Sequence, residues 1–255
     1  MITLTVCADH AIGAELCRQL LDMEKAGRIS IKRFITTDTN TSGWWPALNT
    51  VVPGGRVQVY NPLVLPAPDS DSDYLLLLSW KHLLPPAWIS WARIAAINLH
   101  YSLLPKFRGV YPVNWALIQG ETSTGISFHE VNESIDAGRI LLQKPLEITA
   151  TDTAGTLLNR LDTLTSRSFP ELITLLESGA VLHAAGQQTG SGYYSRKRFD
   201  AVRALNLTRA GTLGEHINLL RGLTFQAGTQ LAYFFCPLTG RKINVRIELT
   251  EDENE

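Results

Sequence analysis

Between Ile2 and Ile35 the chain reads strand, helix, strand, and this opening limits the possible folds more than any other feature. Ile2 to Val6 is β-prone, Ile12, Leu16, Leu20 and Met23 recur at helical spacing, and Ile29 to Ile35 is β-prone again. A helix joining two strands of one sheet implies a parallel pair with a right-handed crossover. Further apolar runs at Val57 to Tyr60, Tyr74 to Leu78 and Ile94 to Asn98 extend the pattern. The run Tyr74 to Leu78 is apolar throughout, as a strand covered on both faces requires. The expected fold is α/β, a Rossmann-like open and mostly parallel sheet with helices on both faces, whose ligands gather at the carboxyl ends of the strands.

Later segments complete this plan. A helix is expected over Pro112 to Gln119, strands over Gly125 to Val131 and Ile140 to Gln143, and a helical stretch over Asp152 to Leu176 that Pro170 kinks or splits. Thr37 to Gly55 reads as a long excursion and Pro62 to Asp73 as a proline-rich connector. Gly186 to Gly192 reads as a linker, which sets the domains at 1–185 and 186–255. The second domain is a small α+β unit, with a helix over Thr212 to Arg221 and a hairpin, Leu231 to Phe235 with Lys242 to Ile247, turning through Pro237 to Gly240.

Charge and composition narrow the function. With a formal net charge of -1 the chain offers no broad basic field for a run of phosphates, so nucleic acid is not expected as a partner. No apolar run approaches the roughly 20 residues of a membrane-spanning helix, and no signal peptide is read, so a cytoplasmic location is expected. Cys7, Cys17 and Cys236 fall in no metal-ligand spacing and are read as buried thiols of a reducing compartment. No metal is expected.

The chemistry concentrates in two segments. In Asn98-Leu99-His100-Tyr101-Ser102-Leu103-Leu104-Pro105-Lys106-Phe107-Arg108-Gly109, Asn98 and His100 lie two apart at the end of a strand, so their side chains lean to one side and converge. In His129-Glu130-Val131-Asn132-Glu133-Ser134-Ile135-Asp136-Ala137-Gly138-Arg139-Ile140, a turn between two strands supplies a carboxylate, Asp136. Each residue alone has an ordinary explanation, as turn former, surface histidine or turn carboxylate. Together they offer two donors for an oxygen gaining negative charge, a group that titrates near neutrality, and a carboxylate to orient the imidazole. Arg108 and Gly109 are read as serving the backbone of the loop.

These segments resemble the tetrahydrofolate-dependent formyltransferases, which carry Asn-x-His-x-Ser-Leu-Leu-Pro-x-x-(Arg/Lys)-Gly and, later, His-x-Val-x-x-x-x-Asp-x-Gly-x-Ile. Both patterns are present in that order, and the resemblance spans about residues 1 to 180. It implies Asn98, His100 and Asp136 as the catalytic residues and N10-formyltetrahydrofolate as the formyl donor. It also places Trp80, Leu83, His129 and Asp136 about the folate. Core packing for Trp80 and Leu83, and a hydrogen-bonded strand histidine for His129, stand beside that reading.

Among the family's branches, the methionyl-tRNA enzymes carry a larger carboxyl-terminal domain and a basic surface. The glycinamide ribonucleotide enzymes open with a glycine-rich phosphate turn where this chain has Ala8-Asp9-His10-Ala11-Ile12-Gly13. The tail, with Tyr194-Ser195-Arg196-Lys197-Arg198-Phe199 and Asn218-Leu219-Leu220-Arg221-Gly222-Leu223-Thr224-Phe225, is most similar to the N-formyltransferases of nucleotide-linked amino sugars. It departs from them at Gln226-Ala227-Gly228, where prolines are expected.

The resemblance implies formylation of a nucleotide-activated amino dideoxy sugar, dTDP-linked, for surface polysaccharide, by a homodimer. His10, Lys81, Tyr194, Arg196, Lys197, Arg221 and Phe225 are the candidate contacts to that substrate, supplying cations for a pyrophosphate and aromatic faces for a base. Asp9 is a further neighbour. A hydrolase using water as acceptor and a silent binding protein remain as different explanations; the hydrolytic relatives carry an extra amino-terminal domain not read in these residues.

Overall fold

A computed structural model describes residues 1–37, 48, 51–53, 55–60, 72–179, 192–225 and 232–252. The excursion after Thr37 and the connector after Pro62 lie largely outside these residues. The linker, the boundary near 185 and the departure at 226–228 lie outside them too.

The strands are β1 (Ile2–Ala8), β2 (Ile29–Thr37), β3 (Val57–Tyr60), β4 (Ser72–Leu78), β5 (Ala92–His100), β6 (Arg108–Gly109), β7 (Ser123–Glu130), β8 (Ile140–Glu147), β9 (Tyr193–Tyr194), β10 (Ala232–Phe235) and β11 (Lys242–Val245). The helices are α1 (His10–Lys25), α2 (Pro86–Ile89), α3 (Pro112–Ile118), α4 (Ala154–Glu177), α5 (Arg196–Arg203) and α6 (Leu213–Leu223). Seven strands form one sheet in the order β3-β2-β1-β4-β5-β7-β8. β1 runs parallel to both β2 and β4, and β4 parallel to β5, whereas β7 returns antiparallel to β5. The chain steps outward from β1 to β3 and then crosses back to β4, so the order reverses between β1 and β4. In open α/β sheets, ligands bind outside the carboxyl ends of the strands at such a reversal.

By internal contacts the chain divides into two units: Met1–His100 with Ser127–Leu142 and Thr165–Gln188, and Tyr101–Ile126 with Gln143–Leu164 and Thr189–Glu255. In the first unit Leu4, Val6, Leu16, Leu20, Tyr74, Leu75 and Leu76 are fully enclosed. Each such side chain contributes about 1.5–3 kcal/mol relative to exposure, which is why the helical spacing read in α1 faces the sheet. In the second unit Trp115, Phe199, Leu219, Leu223 and Ala232 form a separate buried cluster.

Two expectations are corrected, the first in part. α4 is one continuous helix through Pro170, so no second segment starts there. A proline there has no N–H for the carbonyl of Ser166, and that carbonyl instead accepts from the side-chain amide of Gln19 on α1, at 3.1 Å. The second correction concerns the thiols: Cys7 and Cys17 are buried, but Cys236 is only half-buried in the hairpin turn. Burial pushes the thiol pKa of Cys7 and Cys17 up, whereas hydrogen bonds from Thr239 lower that of Cys236.

Among the described residues no helix is long and apolar enough to cross a membrane.

Candidate active site

The site is assembled by strand register. β5 and β7 pair so that Asn98 lies opposite His129 and His100 opposite Ser127. Residues two apart on a strand share a face, and directly opposed residues share it too. Asn98, His100 and His129 therefore stand on one side of the sheet near the carboxyl end of β5. His100 and His129 are buried, and their rings meet edge to face with centroids 6.3 Å apart.

Hydrogen bonds define how these groups are oriented. His129 Nδ1 is 2.8 Å from the carbonyl oxygen of Glu130, which only accepts, so Nδ1 carries a proton. In the neutral ring Nε2 is then an acceptor, and it receives the Asn98 Nδ2–H at 3.2 Å. This assignment follows from the network. It fixes the Asn98 amide and leaves a second N–H on Nδ2.

Asp136 comes from the turn between β7 and β8 and holds φ at +48°, in the left-handed region that Asp tolerates better than most residues. Its carboxylate stands 3.6 Å from His100 Nδ1 and 3.5 Å from His129 Nε2. Because Nε2 of a neutral His129 accepts from Asn98, the second approach is electrostatic proximity and not a hydrogen bond. The first lies just outside hydrogen-bond reach, a gap that a small closure of the turn would remove. The turn has room only because residue 138 is glycine: a Cβ there would lie 1.8 Å from the Glu130 carbonyl oxygen.

Other residues at the strand ends are also constrained. His10 at the start of α1 and Ser79 after β4 both have positive φ, +64° and +61°, and neither is glycine. Such conformations cost on the order of 1 kcal/mol and persist where the surroundings impose them. Burial lowers the His10 pKa, an effect that Asp9 opposes and Lys81 reinforces. Asp9 is buried and turns its Oδ1 toward Thr36 Oγ1, Thr37 N and Thr37 Oγ1, at 3.0, 3.0 and 2.9 Å, so it does not cap α1. Lys81 is exposed.

Trp80 is half-buried against Tyr60 and His82, with ring centroids 5.3 and 5.7 Å away, and its indole N–H finds no acceptor among the described residues. Leu83 is 75% exposed, apolar surface available beside the end of β4. Sequence reading missed Tyr60 and His82 as neighbours of Trp80; their aromatic character was the one available signal.

The tail candidates belong to the second unit. Tyr194 pairs in β9 with Gly109 of β6, where φ is +102° and a Cβ would fall 2.4 Å from the Tyr194 carbonyl oxygen, so the loop reading of Gly109 has a steric cause. Arg196 donates to the Tyr111 hydroxyl at 2.8 Å, and Lys197 is exposed on α5. Arg198, not singled out from sequence, lies 4.4 Å from the Tyr194 ring centroid and 5.1 Å from that of Trp115.

Arg221 donates to the carbonyls of Asp152 and Thr149 at 2.7 and 2.6 Å and to Asn218 at 3.3 Å. Its guanidinium thus braces the 149–152 segment. Phe225 is half-buried after α6. Among the described residues no group of three or more His, Cys, Asp or Glu stands together as a metal site.

Comparison with known proteins adds two matches along the chain. Residues 67–173 match the family described as formyl transferase, and residues 198–251 match the N-formyltransferase dimerization C-terminal domain. The GDP-perosamine N-formyltransferase of Brucella melitensis is 35% identical over 127 residues, 50% of this chain and 48% of that protein. The chain spans about a third to a half of the length of the curated relatives it matches, methionyl-tRNA formyltransferases among them.

Among solved structures, a sugar N-formyltransferase from Shewanella sp FDAARGOS_354 superposes with a TM-score of 0.79 at 22% identity, covering 99% of this chain and 100% of that one. An N-formyltransferase from Helicobacter canadensis, solved with folinic acid and dTDP-3-aminofucose, gives a TM-score of 0.68 at 18% identity over 89% of this chain and 82% of that one. These two structures establish the likeness of fold.

Proposed function

The chain belongs to the formyl transferase family, and from that premise we propose that it moves a formyl group from N10-formyltetrahydrofolate to the amine of a nucleotide-activated amino sugar. The observation that carries the proposal is the convergence of Asn98, His100, His129 and Asp136 on one face at the end of β5.

In the reaction the amine nitrogen bonds to the formyl carbon, the bond from that carbon to the folate nitrogen breaks, and one proton passes from the amine to the departing nitrogen. Negative charge gathers on the formyl oxygen as the carbon becomes tetrahedral. The half-buried Asn98 amide is held by His129 and offers its remaining N–H to that oxygen, beside two buried histidines where such a bond counts for more than in water. His100 donates to the same oxygen or relays the proton, and Asp136 orients its imidazole and stabilises the charged form. His129 acts by holding Asn98.

Trp80 and the exposed Leu83 fit an apolar wall for the folate ring system, and the indole N–H adds a donor there. His10 and Lys81, at the ends of β1 and β4, suit the sugar. Tyr194, Arg196, Lys197 and Phe225 suit a nucleoside diphosphate. Arg221 enters this assignment as a residue that shapes the 149–152 segment.

An amino sugar is favoured as acceptor by the likeness to the Shewanella sugar N-formyltransferase and to the GDP-perosamine N-formyltransferase, and residues 198–251 match the N-formyltransferase dimerization C-terminal domain. That match also supports a homodimer. The dTDP-linked ligand of the Helicobacter canadensis protein supports thymine as the base, and the GDP-perosamine relative supports guanine as the competing one. Surface polysaccharide is the destination such a product implies.

Incubation with formyl-folate and a panel of dTDP-, GDP- and UDP-linked amino sugars tests the assignment. A sugar that gains about 28 mass units, the mass of CO, supports it. Formate as the sole product indicates hydrolysis, and formylation of methionyl-tRNA in place of any sugar moves the acceptor to the tRNA branch.

A further inference from the structure

The turn carrying Asp136 is closed at its neck by two residues that the recognised motif leaves open. In His-x-Val-x-x-x-x-Asp-x-Gly-x-Ile, the first open position is Glu130 and the last is Arg139. The Arg139 guanidinium donates to the Glu130 carboxylate in a close ion pair, and the two side chains are only 23% and 24% exposed. Beneath this contact the Glu130 N–H donates to the Arg139 carbonyl at 2.8 Å. The next residue, Val131, donates to the Ala96 carbonyl on β5, also at 2.8 Å.

The turn itself is braced by Asn132 Oδ1, which accepts from Ser134 N at 2.9 Å, and by Ala137 N donating to the Ser134 carbonyl at 3.3 Å. The neck, where both ends of the turn join β7 and β8, is one of its attachments to the sheet. We propose that Glu130 and Arg139 are positioning residues that clamp this neck and so set the distance between the Asp136 carboxylate and the His100 imidazole.

Geometry gives the reason. Asp136 stands 3.6 Å from His100 Nδ1, at the edge of bonding, so a displacement of a few tenths of an ångström decides whether a hydrogen bond forms. Asp136 lies six residues beyond Glu130 and three before Arg139. A neck held only by its backbone bond lets the turn tilt, whereas the ion pair adds a second point of attachment outside that bond. Among the groups that face His100 are the Asp136 carboxylate and the His129 ring, so a retreating Asp136 removes an anion that favours its protonated form.

The test compares Arg139→Gln, Glu130→Gln and the reversed pair Glu130→Arg/Arg139→Glu. The first readout needs no substrate: the titration of His100 by NMR, assigned among the six histidines by a His100→Gln reference. Each single variant is expected to lower the His100 midpoint, because Asp136 no longer holds the imidazolium, and the reversed pair to return it toward the parent value.

The second readout rests on the proposed formyl transfer: kcat should fall on the order of tenfold with KM nearly unchanged, and recover in the reversed pair. A folded single variant with an unmoved His100 midpoint overturns the clamp. So does a loss that appears in KM alone. If Arg139→Gln does not fold, Glu130→Gln breaks the same pair from the other side and decides the matter. A shifted midpoint in a protein that formylates nothing would remove the proposed activity and leave the clamp, and the opposite pattern would do the reverse.

Discussion

Replacing Gly138 by alanine adds one methyl group at the neck of the turn that carries Asp136. Built on the present backbone, that Cβ lies 1.8 Å from the Glu130 carbonyl oxygen and 2.7 Å from its carbon, where contacts below 3.0 Å essentially never occur. The neck must open by roughly 1.2 Å to reach that floor, because both partners are backbone and neither can swing aside. The bond from Glu130 N to the Arg139 carbonyl, now 2.8 Å, stretches in the same movement. Asp136 is two residues away and has no slack, standing 3.6 Å from His100 already.

A misplacement of about 1 Å in a catalytic group costs on the order of a hundredfold in rate, while overpacking costs about 1–3 kcal/mol of stability and the stretched backbone hydrogen bond about 1 kcal/mol more. Gly138→Ala should therefore lower kcat about a hundredfold and lower the thermal midpoint by about 2–4 °C for each kcal/mol lost. Steady-state formyl transfer and a melting curve on the same preparation read both quantities. A folded variant with kcat within about threefold of the parent would refute the claim that the neck sets the site geometry.

Asn98→Ala should lower kcat about a hundredfold or more with little change in the melting curve, since it removes one donor to the developing oxyanion; equal kcat would remove Asn98 from that role. Gly222→Ala should destabilise the second unit, because its Cβ would meet Ile118 at 2.5 Å and the Asn114 carbonyl at 2.8 Å, beside the 2.7 Å bond from Asn114 Nδ2 to the Gly222 carbonyl. The overpacking term of about 1–3 kcal/mol should exceed the roughly 1 kcal/mol that alanine adds to a helix, and a rise in the urea midpoint would show the crossing to be looser than described.

The pH dependence has a defined sign at His10. Its folded pKa lies below the ordinary 6.5 because of burial, so between the two values the unfolded chain binds the proton and the fold does not. Stability should fall as pH drops below about 6.5 and be unaffected by this group above it, and His10→Gln should flatten that slope. An unchanged slope would assign it to other groups.

The sheet could be read from the chain because its central strands are short apolar runs and α1 carries apolar residues at a helical interval. The placement of Asn98 and His100 on one strand face could be read because they alternate along β5, and that of Asp136 because it sits in a turn of recognisable spacing. α5 was missed: Arg196 to Arg203 holds Phe199 as its one buried residue, and only the Ser195 cap, accepting from Arg198 N at 3.2 Å, marks its start. The β6–β9 ladder joins residues more than 80 positions apart, a pairing that local propensity does not encode. Pro170 misled for a similar reason, since the group that satisfies Ser166 is Gln19, far off in sequence. Nor does the sequence show that the carbonyls of Asp152 and Thr149 approach the Arg221 guanidinium.

The central proposal is that Asn98, His100 and Asp136 assist direct transfer of a formyl group to a sugar amine, and tracing that carbon tests it most directly. With formyl-folate labelled at the formyl carbon and a dTDP- or GDP-linked amino sugar, the label should appear as a formamide on the sugar. It should do so at a rate that collapses in Asn98→Ala and in His100→Ala. Label recovered only as formate, or transfer to the sugar at undiminished rate in both variants, would contradict the account.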